Sequence, residues 1–391
     1  MLRRFAPRSQ STERFDVAFY APWIGPLLAP GSDPPTGGAE TQILMLARAL
    51  TDRGLRVCLV SLEAGKPLPE EVDGVRVVTQ RRRHTHVRGV RMLAWLMSLV
   101  RVLGRLDAEA FVQRAATSTT GLVSLIAKAK RRRFVYSSSS VIDFDYGLLE
   151  RNRRAVWVFH LGVKLADAVV VQTPEQVELC RQRFERTPAM IKSIAESAPR
   201  RTAEPRAFLW VGRLAHYKRP EAYVKLARAF PEAAFWMIAA PSGGFGLELA
   251  PELERAAAQL PNLELLEPKP RDELGLLIES AVAMVNTSDY EGMPNTFLEG
   301  WARGVPALAL THDPDGVIER EGLGGFAHGS PERLAELARR MWNTRRDQSA
   351  MAERCRAYIA REHAPNAVVD RWLEVFRGLR GDGTPAKAHG G

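Results

Sequence analysis

The sequence is poor in cysteine: Cys58, Cys180 and Cys355 are the only three in 391 residues. Their odd number and wide separation exclude a disulfide framework and provide no metal-ligand spacing. Isolated cysteines of this kind are typical of a reducing compartment. We therefore expect small core or surface residues, and no metal site built on them.

Long apolar runs are missing as well. No stretch approaches the roughly 18 uninterrupted apolar residues that a bilayer-spanning helix needs. The first residues are basic, but no continuous apolar segment of signal-peptide length precedes the first predicted strand. These absences lead us to expect a cytoplasmic protein.

Acidic residues are scarce in the first half of the chain. Residues 1–200 contain 31 Lys and Arg against 19 Asp and Glu, whereas the remainder is close to neutral, and the net charge is +10. Anionic lipid, nucleic acid or an acidic glycan could each bind to this excess of positive charge. The basic runs contain few aromatic residues and no nucleic-acid module is apparent, so we expect no nucleic acid as a partner.

Short apolar runs that alternate with helical patterns are plentiful. The strand-like runs lie at 15–20, 57–62, 75–79, 110–113, 134–137, 168–172, 207–211, 234–239, 263–266 and 281–285. Such alternation predicts parallel sheets with helices on both faces. We predict an α/β protein with two doubly wound, Rossmann-like domains: residues 1–195, a linker over 196–206, and residues 207–380. The tail, 381–391, is predicted to be disordered.

The segment 286–306, NTSDYEGMPNTFLEGWARGVP, places two carboxylates, Glu291 and Glu299, eight positions apart between two apolar runs. Pro294 suits a helix start and Gly304 a helix end, so a helix is predicted over 295–303. Ligands of open parallel sheets bind at the carboxyl ends of the strands, where both acids would face one crevice. The free N–H groups of the first helical residues, Asn295, Thr296 and Phe297, would attract phosphate there.

Two further segments follow predicted strands. Gly212 permits a tight turn after the run at 207–211, and Arg213 and Lys218 can converge on one anion across the next loop. After the first strand, Gly37 and Gly38 open a helix and would let a ligand approach backbone N–H groups. A plain turn is the alternative for the glycine pair, and solvated basic residues are the alternative for the second loop.

These segments together resemble the retaining glycosyltransferases of family four. Their signature is a Glu, seven residues, a second Glu and a Gly-x-Pro exit, and Glu291, Glu299, Gly304 and Pro306 match it, as do Gly292, Pro294 and Asn295. Gly212, Arg213 and Lys218 match the family's Gly-Arg and Lys positions, and Gly37, Gly38 and Glu40 match its Gly-Gly-x-Glu element. The resemblance implies the GT-B architecture, in which two Rossmann-like domains face each other across a cleft.

The resemblance also implies roles for individual residues. Arg213 and Lys218 would hold the diphosphate of a nucleotide-sugar, Glu291 would lie by the transferred sugar, and Glu299 would bind the ribose. Catalytic roles thus fall to Arg213, Lys218 and Glu291, and donor binding to Gly37, Gly38, Gly212, Gly292, Asn295, Thr296 and Glu299. No metal ion and no cofactor beyond the donor substrate is implied. Base contacts should come from the loop around 267–270, which lacks the family's usual glycine.

One departure from the family concerns the first domain. Many members place a histidine after a strand there, whereas the matching strand, 134–137, runs into Ser138, Ser139 and Ser140 with Asp143 beyond. Asp143 and Asp145 could approach the acceptor. They also spell the Asp-x-Asp pattern by which a different glycosyltransferase architecture binds a divalent metal, but that architecture has a single domain.

The function implied is transfer of a sugar, with retention and without metal, from a nucleotide-sugar to a glycan or lipid-linked acceptor. Polysaccharide biosynthesis at the cell envelope is the expected setting. The alternatives are a nucleotide-sugar epimerase of the same fold and a non-catalytic sugar-nucleotide-binding protein.

The segment 88–106 predicts a helix with arginines along one arc and Leu93, Leu96, Met97, Val100 and Leu103 opposite. One interpretation is a helix packed on the sheet with a solvated basic face. The other is peripheral attachment to an anionic membrane at its cytoplasmic face, helped by the neighbouring run Arg81, Arg82 and Arg83.

Overall fold

The structure is a computed structural model of the chain, and it describes residues 13–29, 37–63, 66–81, 88–145, 152–240 and 246–380. The predicted disordered tail and the basic residues Arg82 and Arg83 lie outside these ranges. The side chain of Asp145 also lies outside the description.

The first half of the chain forms an eight-stranded sheet. Its strands are β1 (Arg14–Tyr20), β2 (Val57–Leu62), β3 (Glu71–Val72), β4 (Val75–Gln80), β5 (Asp107–Arg114), β6 (Arg133–Ser137), β7 (Ala168–Val171) and β8 (Ala189–Met190). The spatial order is β3-β4-β2-β1-β5-β6-β7-β8. Only the β3–β4 pair is antiparallel. The order reverses between β1 and β5, which defines a topological switch point where ligands of such sheets bind.

Helices cover both faces of this sheet, as the alternation predicts. They are α1 (Gly25–Leu28), α2 (Gly38–Asp52), α3 (Arg88–Arg105), α4 (Thr119–Ala129), α5 (Ile142–Asp145), α6 (Arg153–Leu165) and α7 (Pro174–Phe184). The sequence sets several of their starts. Asn152 accepts hydrogen bonds from the N–H groups of Arg154 and Ala155 at the start of α6, and Thr173 caps α7 ahead of Pro174.

The second half forms a six-stranded, wholly parallel sheet. Its strands are β9 (Ala207–Arg213), β10 (Ala234–Ala240), β11 (Leu263–Leu266), β12 (Ala281–Asn286), β13 (Ala307–Ala309) and β14 (Gly324–Phe326). The order β11-β10-β9-β12-β13-β14 is that of a dinucleotide-binding Rossmann sheet. All six residues of β12 are buried, as expected of a strand covered on both faces. The switch point lies between β9 and β12, the strands that precede the two segments singled out above.

The helices of the second half are α8 (Pro220–Ala229), α9 (Ala250–Ala258), α10 (Arg271–Glu279), α11 (Asn295–Ala302), α12 (Val317–Arg320), α13 (Pro331–Asn343), α14 (Ser349–Glu362) and α15 (Pro365–Arg380). Short 3-10 turns occur at His216–Lys218, Leu247–Leu249 and Pro314–Gly316. The two Rossmann-like α/β domains expected from the sequence are thus confirmed. The short elements β3, β8, β14 and α12 were not predicted, because two to four residues carry too little periodicity to be recognised.

The last helix returns to the first sheet. Val368, Val369, Trp372 and Phe376 of α15 are buried in the core formed by α2, β1 and β2. An ion pair of 2.5 Å between Arg53 and Asp370 adds a surface contact. The helix lies C-terminal to the second sheet in the sequence, yet its apolar face packs against the first domain.

Helix α3 leaves much of its apolar surface open. Leu99 and Leu103 are buried, whereas Leu93, Met97 and Val100 are 57%, 64% and 49% exposed. Three of the five apolar residues that the sequence places opposite the arginines therefore face solvent. None of the helices in the described part of the chain is both long and apolar enough to cross a bilayer.

Candidate active site

The loops after β9 and β12 are bonded to each other at the switch point of the second sheet. The N–H of Asp289 donates to the carbonyl of Tyr217 at 2.9 Å. The hydroxyl of Thr287 donates to the carbonyl of Lys218 at 2.7 Å, and the Tyr217 and Tyr290 rings stack with centroids 4.9 Å apart. The backbone that carries Lys218 is therefore held against the backbone that carries Glu291.

Lys218 and Glu291 form an ion pair across these loops, and both side chains are largely buried. The same carboxylate oxygen, Oε1, accepts hydrogen bonds from Ser288 Oγ at 2.8 Å and from Asn286 Nδ2 at 3.2 Å. Burial by itself would raise the pKa of Glu291, but the Lys218 ammonium and these two donors hold it below its usual range. Glu291 is therefore an ionised carboxylate at neutral pH, not a proton donor.

Arg213 ends β9 and is exposed. Its Nη2 donates to the hydroxyl of Tyr217 at 3.3 Å, and no carboxylate in the described ranges pairs with it. The guanidinium is thus available to an anion beside Lys218. Gly212 leaves room for a neighbouring indole, because a Cβ atom there would lie 2.8 Å from the Trp210 ring.

Helix α11 begins beside this loop. Pro294 is its N-cap residue, with an extended backbone and no side-chain cap. The N–H of Phe297 donates back to the carbonyl of Pro294 at 3.1 Å. The expectation of three free N–H groups is therefore wrong for Phe297, since the first turn tightens around the proline. Within the described residues, the N–H groups of Asn295 and Thr296 have no partner, and the helix dipole makes this end attractive to phosphate.

The Asn295 side chain reaches across to the first domain. Its Nδ2 donates to the carbonyl of Gly38 at 2.9 Å, and its Oδ1 accepts from Gln42 Nε2 at 3.1 Å. A Cβ atom on Gly38 would lie 2.8 Å from Asn295 Nδ2, so a larger residue there would displace the Asn295 side chain. At Gly37 a Cβ atom would instead meet the Glu40 carboxylate at 2.3 Å. Gly38 therefore lies at the contact between the domains, whereas the close neighbour of Gly37 belongs to the first domain.

Gln42 was not identified from the sequence, although it joins three parts of the chain. Besides Asn295, it bonds both backbone groups of Ile194, its Oε1 accepting and its Nε2 donating, each at 2.8 Å. Gln42 is buried. The sequence did contain a signal for Gln42: it is a polar residue on the apolar side of a predicted amphipathic helix.

Glu299 lies one turn into α11 and lines a cavity of about 130 Å³ between the domains. Thr41 and Met45 of α2 line the opposite wall, and Arg271 lies at the start of α10, directly after the loop 267–270. Burial raises the pKa of Glu299, while the Arg271 and Arg303 guanidinium groups oppose that shift. Glu299 therefore faces a different space from Glu291, which is committed to Lys218.

Gly292 brings the Glu291 loop against the first domain. A Cβ atom at Gly292 would lie 2.6 Å from the Ser139 carbonyl oxygen. On the other side, the Nε2 of His312 donates to the carbonyl of Gly292 at 3.2 Å. The loop that replaces the expected histidine segment is thus within contact distance of the predicted sugar site.

Asp143 is fully occupied by hydrogen bonds within the first domain. Its Oδ2 accepts from the hydroxyl groups of Ser138 and Ser139, each at 3.1 Å, and from the N–H of Ser139 at 2.6 Å. Its Oδ1 accepts from the N–H of Ala116 at 3.1 Å. Asp143 is 1% exposed, so its carboxylate holds the loop together and does not reach an acceptor. Among the described residues no cluster of three or more His, Cys, Asp or Glu is placed to hold a metal ion.

The three cysteines are buried and unpaired. Burial raises the pKa of Cys58 to about 12 and that of Cys180 to about 11. They are therefore core residues, one of the two placements expected from the sequence, and their raised pKa makes the thiols unreactive.

Two family models match the chain in succession. A glycosyl transferase 4-like domain matches residues 37–192, and a glycosyl transferases group 1 domain matches residues 205–344. The first match begins at the glycine that precedes α2. The second contains the β9 loop, both glutamates and all of α11.

Solved structures with the same fold include several that act on sugars. Sucrose-phosphate synthase from Thermosynechococcus elongatus aligns with a TM-score of 0.76 at 14% identity, covering 95% of this chain and 100% of that one. HepE from Anabaena, solved with UDP and glucose, gives 0.73 at 15% identity over 94% and 100%. WaaG, a glycosyltransferase involved in lipopolysaccharide biosynthesis, gives 0.63 at 15% identity over 90% and 98%. At identities this low, the three alignments show a shared fold.

Proposed function

Because the chain is a glycosyltransferase of the GT-B fold, with a 4-like domain before a group 1 domain, we propose a more specific activity. The protein transfers a sugar, with retention of configuration, from a nucleotide-sugar donor to a glycan or lipid-linked acceptor, and it needs no metal. The observation that carries the proposal is the ion pair of Lys218 with Glu291 at the switch point of the second sheet.

The donor diphosphate is assigned to the groups that surround this pair. Arg213 supplies a guanidinium that no carboxylate of the described residues pairs with, and Lys218 supplies an ammonium. Asn295 and Thr296 supply two N–H groups at a helix start that have no partner in the same part of the chain. Negative charge grows on the diphosphate as its bond to the sugar breaks, and preorganised cations stabilise that charge. Such a set can do the work that a divalent ion does in other glycosyltransferases, which is why we propose metal independence.

Glu291 and Glu299 are assigned to the hydroxyl groups of the donor. The ionised Glu291 lies where the sugar would follow the diphosphate, and it also holds Lys218 in place. Glu299 lines the cavity where a nucleoside would lie, so its carboxylate is assigned to the ribose. The structure of HepE with UDP and glucose makes UDP-glucose the first donor to test.

A thermal-shift series with UDP-, GDP- and ADP-sugars tests donor binding, since a ligand of the folded state raises the melting temperature by mass action. The stabilising donor is then incubated with acceptors in the presence of EDTA, and proton NMR of the product reports the anomeric configuration. A new sugar formed from the donor alone would favour the epimerase. Binding with no turnover in any acceptor mixture would favour a non-catalytic binder.

We also propose that α3 attaches the protein to an anionic membrane, which would bring the site to a lipid-linked or envelope glycan. Leu93, Met97 and Val100 are about half exposed or more, and Arg101 and Arg105 of the same helix are exposed as well. Each basic residue near an anionic leaflet gains about 1 kcal/mol. The similarity to WaaG, a glycosyltransferase of lipopolysaccharide biosynthesis, supports an envelope setting.

Sedimentation with liposomes tests this attachment. Binding should require anionic lipid, should fall with added salt, and should weaken when Arg81 to Arg83 and Arg91 are neutralised. Met97→Ser should weaken binding at all salt concentrations, because it removes apolar contact only. Equal failure to bind neutral and anionic vesicles at low salt would contradict the proposal and favour a soluble acceptor.

A further inference from the structure

A second cation occupies the switch point of the first sheet. Arg114 is the last residue of β5, beside the position where the strand order reverses between β1 and β5. It is half-buried. Together with Gln42 and Ser193 it lines a small cavity beneath α2. The carboxyl edge of this sheet faces the second domain, since the Ser139 carbonyl oxygen would lie 2.6 Å from a Cβ atom at Gly292.

Arg114 forms no ion pair with a carboxylate of the described ranges. Its Nη1 donates to Ser137 Oγ at a long 3.4 Å, its Nη2 has no partner there, and its Nε is buried without an acceptor. Asp143 and Glu40 lie close enough to raise the pKa of Arg114, but neither forms an ion pair with it. The Asp143 carboxylate already accepts hydrogen bonds from the Ser138–Ser140 loop and from Ala116. Burial lowers the pKa of Arg114 to about 10, which leaves it charged at neutral pH.

A half-buried cation without a partner costs free energy, because its lost hydration is not replaced. Arg132, near the opposite end of β5, is paired by contrast: it bonds Asp107 at 2.6 Å. A planar guanidinium with open donors suits the oxygens of phosphate or carboxylate. The cost at Arg114 is therefore explained if a ligand supplies the missing anion.

We propose that Arg114 binds an anionic group, a phosphate or a carboxylate, of the acceptor substrate. The inference rests on the proposed function, which assigns the donor diphosphate to the second domain. Arg213, Lys218 and the start of α11 already provide for that diphosphate. Arg114 lies on the opposite domain, in the half of the chain that carries the excess of positive charge. An acceptor whose reactive sugar bears, or adjoins, a phosphate or carboxylate fits this position.

Inorganic phosphate is the probe, and the readout is the melting temperature of the full chain. Wild type, Arg114→Met and the control Arg132→Met are each titrated with phosphate and, separately, with chloride at matched ionic strength. The titrations are repeated with a saturating nucleotide from the donor series, which occupies the diphosphate contacts. Acetate in place of phosphate distinguishes a carboxylate site from a phosphate site.

We expect Arg114→Met to melt at or above the wild-type temperature in phosphate-free buffer, because an unpaired cation is removed. We also expect it to lose most of the phosphate-dependent rise that wild type and Arg132→Met retain with nucleotide bound. A clear drop in melting temperature without phosphate, together with an unchanged phosphate response, would show a structural role and overturn the proposal.

If saturating nucleotide abolished the phosphate-dependent rise in melting temperature, the phosphate would be bound in the donor site. That result would also overturn the proposal for Arg114. If no nucleotide stabilises the protein, the proposed function fails, and the Arg114-dependent response to phosphate is still measured independently. The two failures are therefore distinguishable.

Discussion

The two cations at the switch points of this glycosyltransferase differ in whether a carboxylate pairs with them. In the second domain Lys218 is paired with Glu291, which Ser288 and Asn286 also bond. In the first domain Arg114 has one long hydrogen bond, and no carboxylate among the described residues pairs with it. On the proposed assignments, the donor side is assembled before the ligand arrives, whereas the acceptor side leaves a charge for the ligand to complete.

The largest expected effect is a loss of turnover on replacing Lys218 or Arg213, and stability distinguishes the two variants. Lys218→Ala and Arg213→Ala should each lower turnover by about 100- to 1,000-fold, since removing one preorganised charge from a developing anion costs about 3 to 4 kcal/mol. Only Lys218→Ala should also lower the free energy of unfolding, because it leaves the Glu291 carboxylate buried without its cation. Arg213 is exposed, so its loss should change stability by less than about 0.5 kcal/mol.

Steady-state kinetics and urea unfolding of both variants give the two readouts. Wild-type turnover in either variant would remove this loop from the site. Equal stability of Lys218→Ala and wild type would contradict the view that the donor side is assembled around the ion pair.

The second prediction concerns the junction between the domains, where His363 is buried. Its Nδ1–H donates to the carbonyl of Ser193 at 2.6 Å, and burial lowers its pKa to about 4. In the unfolded chain the His363 imidazole becomes protonated near pH 6.5, whereas in the folded protein it stays neutral until about pH 4. The contribution of His363 to the free energy of unfolding is therefore complete above pH 6.5 and is lost as the pH falls towards 4. The loss amounts to about 3 kcal/mol over that interval.

Chemical unfolding between pH 7 and pH 4 measures this effect. His363→Asn should reduce the slope over that interval, and His160→Asn serves as a comparison in the first domain. An identical pH dependence in His363→Asn and wild type would show that other groups control acid stability.

The third prediction concerns the hydrogen bonds of Gln42, which join α2 to Ile194 of the first domain and to Asn295 of the second. Gln42→Leu removes the hydrogen bonds to Asn295 and to both backbone groups of Ile194. Each buried group left without a partner costs about 1 to 3 kcal/mol, so the free energy of unfolding should fall by at least that amount. Asn295→Ala keeps the bonds between Gln42 and Ile194 and should cost less.

Small-angle scattering with and without nucleotide then reports the domain arrangement. A wider distribution of domain positions in Gln42→Leu, narrowed by nucleotide, is the expected outcome. If Gln42→Leu and Asn295→Ala were equally stable, the bond to Ile194 would be unimportant.

The smallest expected effect is at Glu299. Glu299→Gln should weaken donor and free nucleotide alike by about 2 kcal/mol, because charged hydrogen bonds to ribose hydroxyls are replaced by neutral ones. The pKa of Glu299 is raised by burial, so the carboxylate is protonated at a higher pH than an ordinary glutamate. Nucleotide affinity of the wild type should fall as the pH decreases through that raised pKa, and the Gln variant should not show this fall.

Isothermal titration calorimetry at several pH values checks both statements. An unchanged nucleotide affinity in Glu299→Gln would make the ribose assignment wrong. A pH dependence that persists in the variant would assign the titrating group elsewhere.

The sequence by itself determined the two Rossmann-like units and the segments that form the candidate site. These follow from local signals: apolar runs of strand length, a proline before a helix, and glycines at strand ends. The sequence could single out Arg213, Lys218, Glu291 and Asn295 because the segments that follow parallel strands meet at one edge of the sheet, where ligands of such sheets bind.

Tertiary structure alone decided which of these residues meet. Lys218 and Glu291 are 73 positions apart, and Gln42 and Asn295 are 253 apart, so strand order and domain contact, not local pattern, bring them together. The same holds for the return of α15 to the first sheet and for the exposed apolar side of α3. It holds above all for Arg114, since a missing partner becomes visible only when every neighbour of a side chain is in place. Periodicity records which side of an element is apolar, but the chain must fold before that side has, or lacks, a partner.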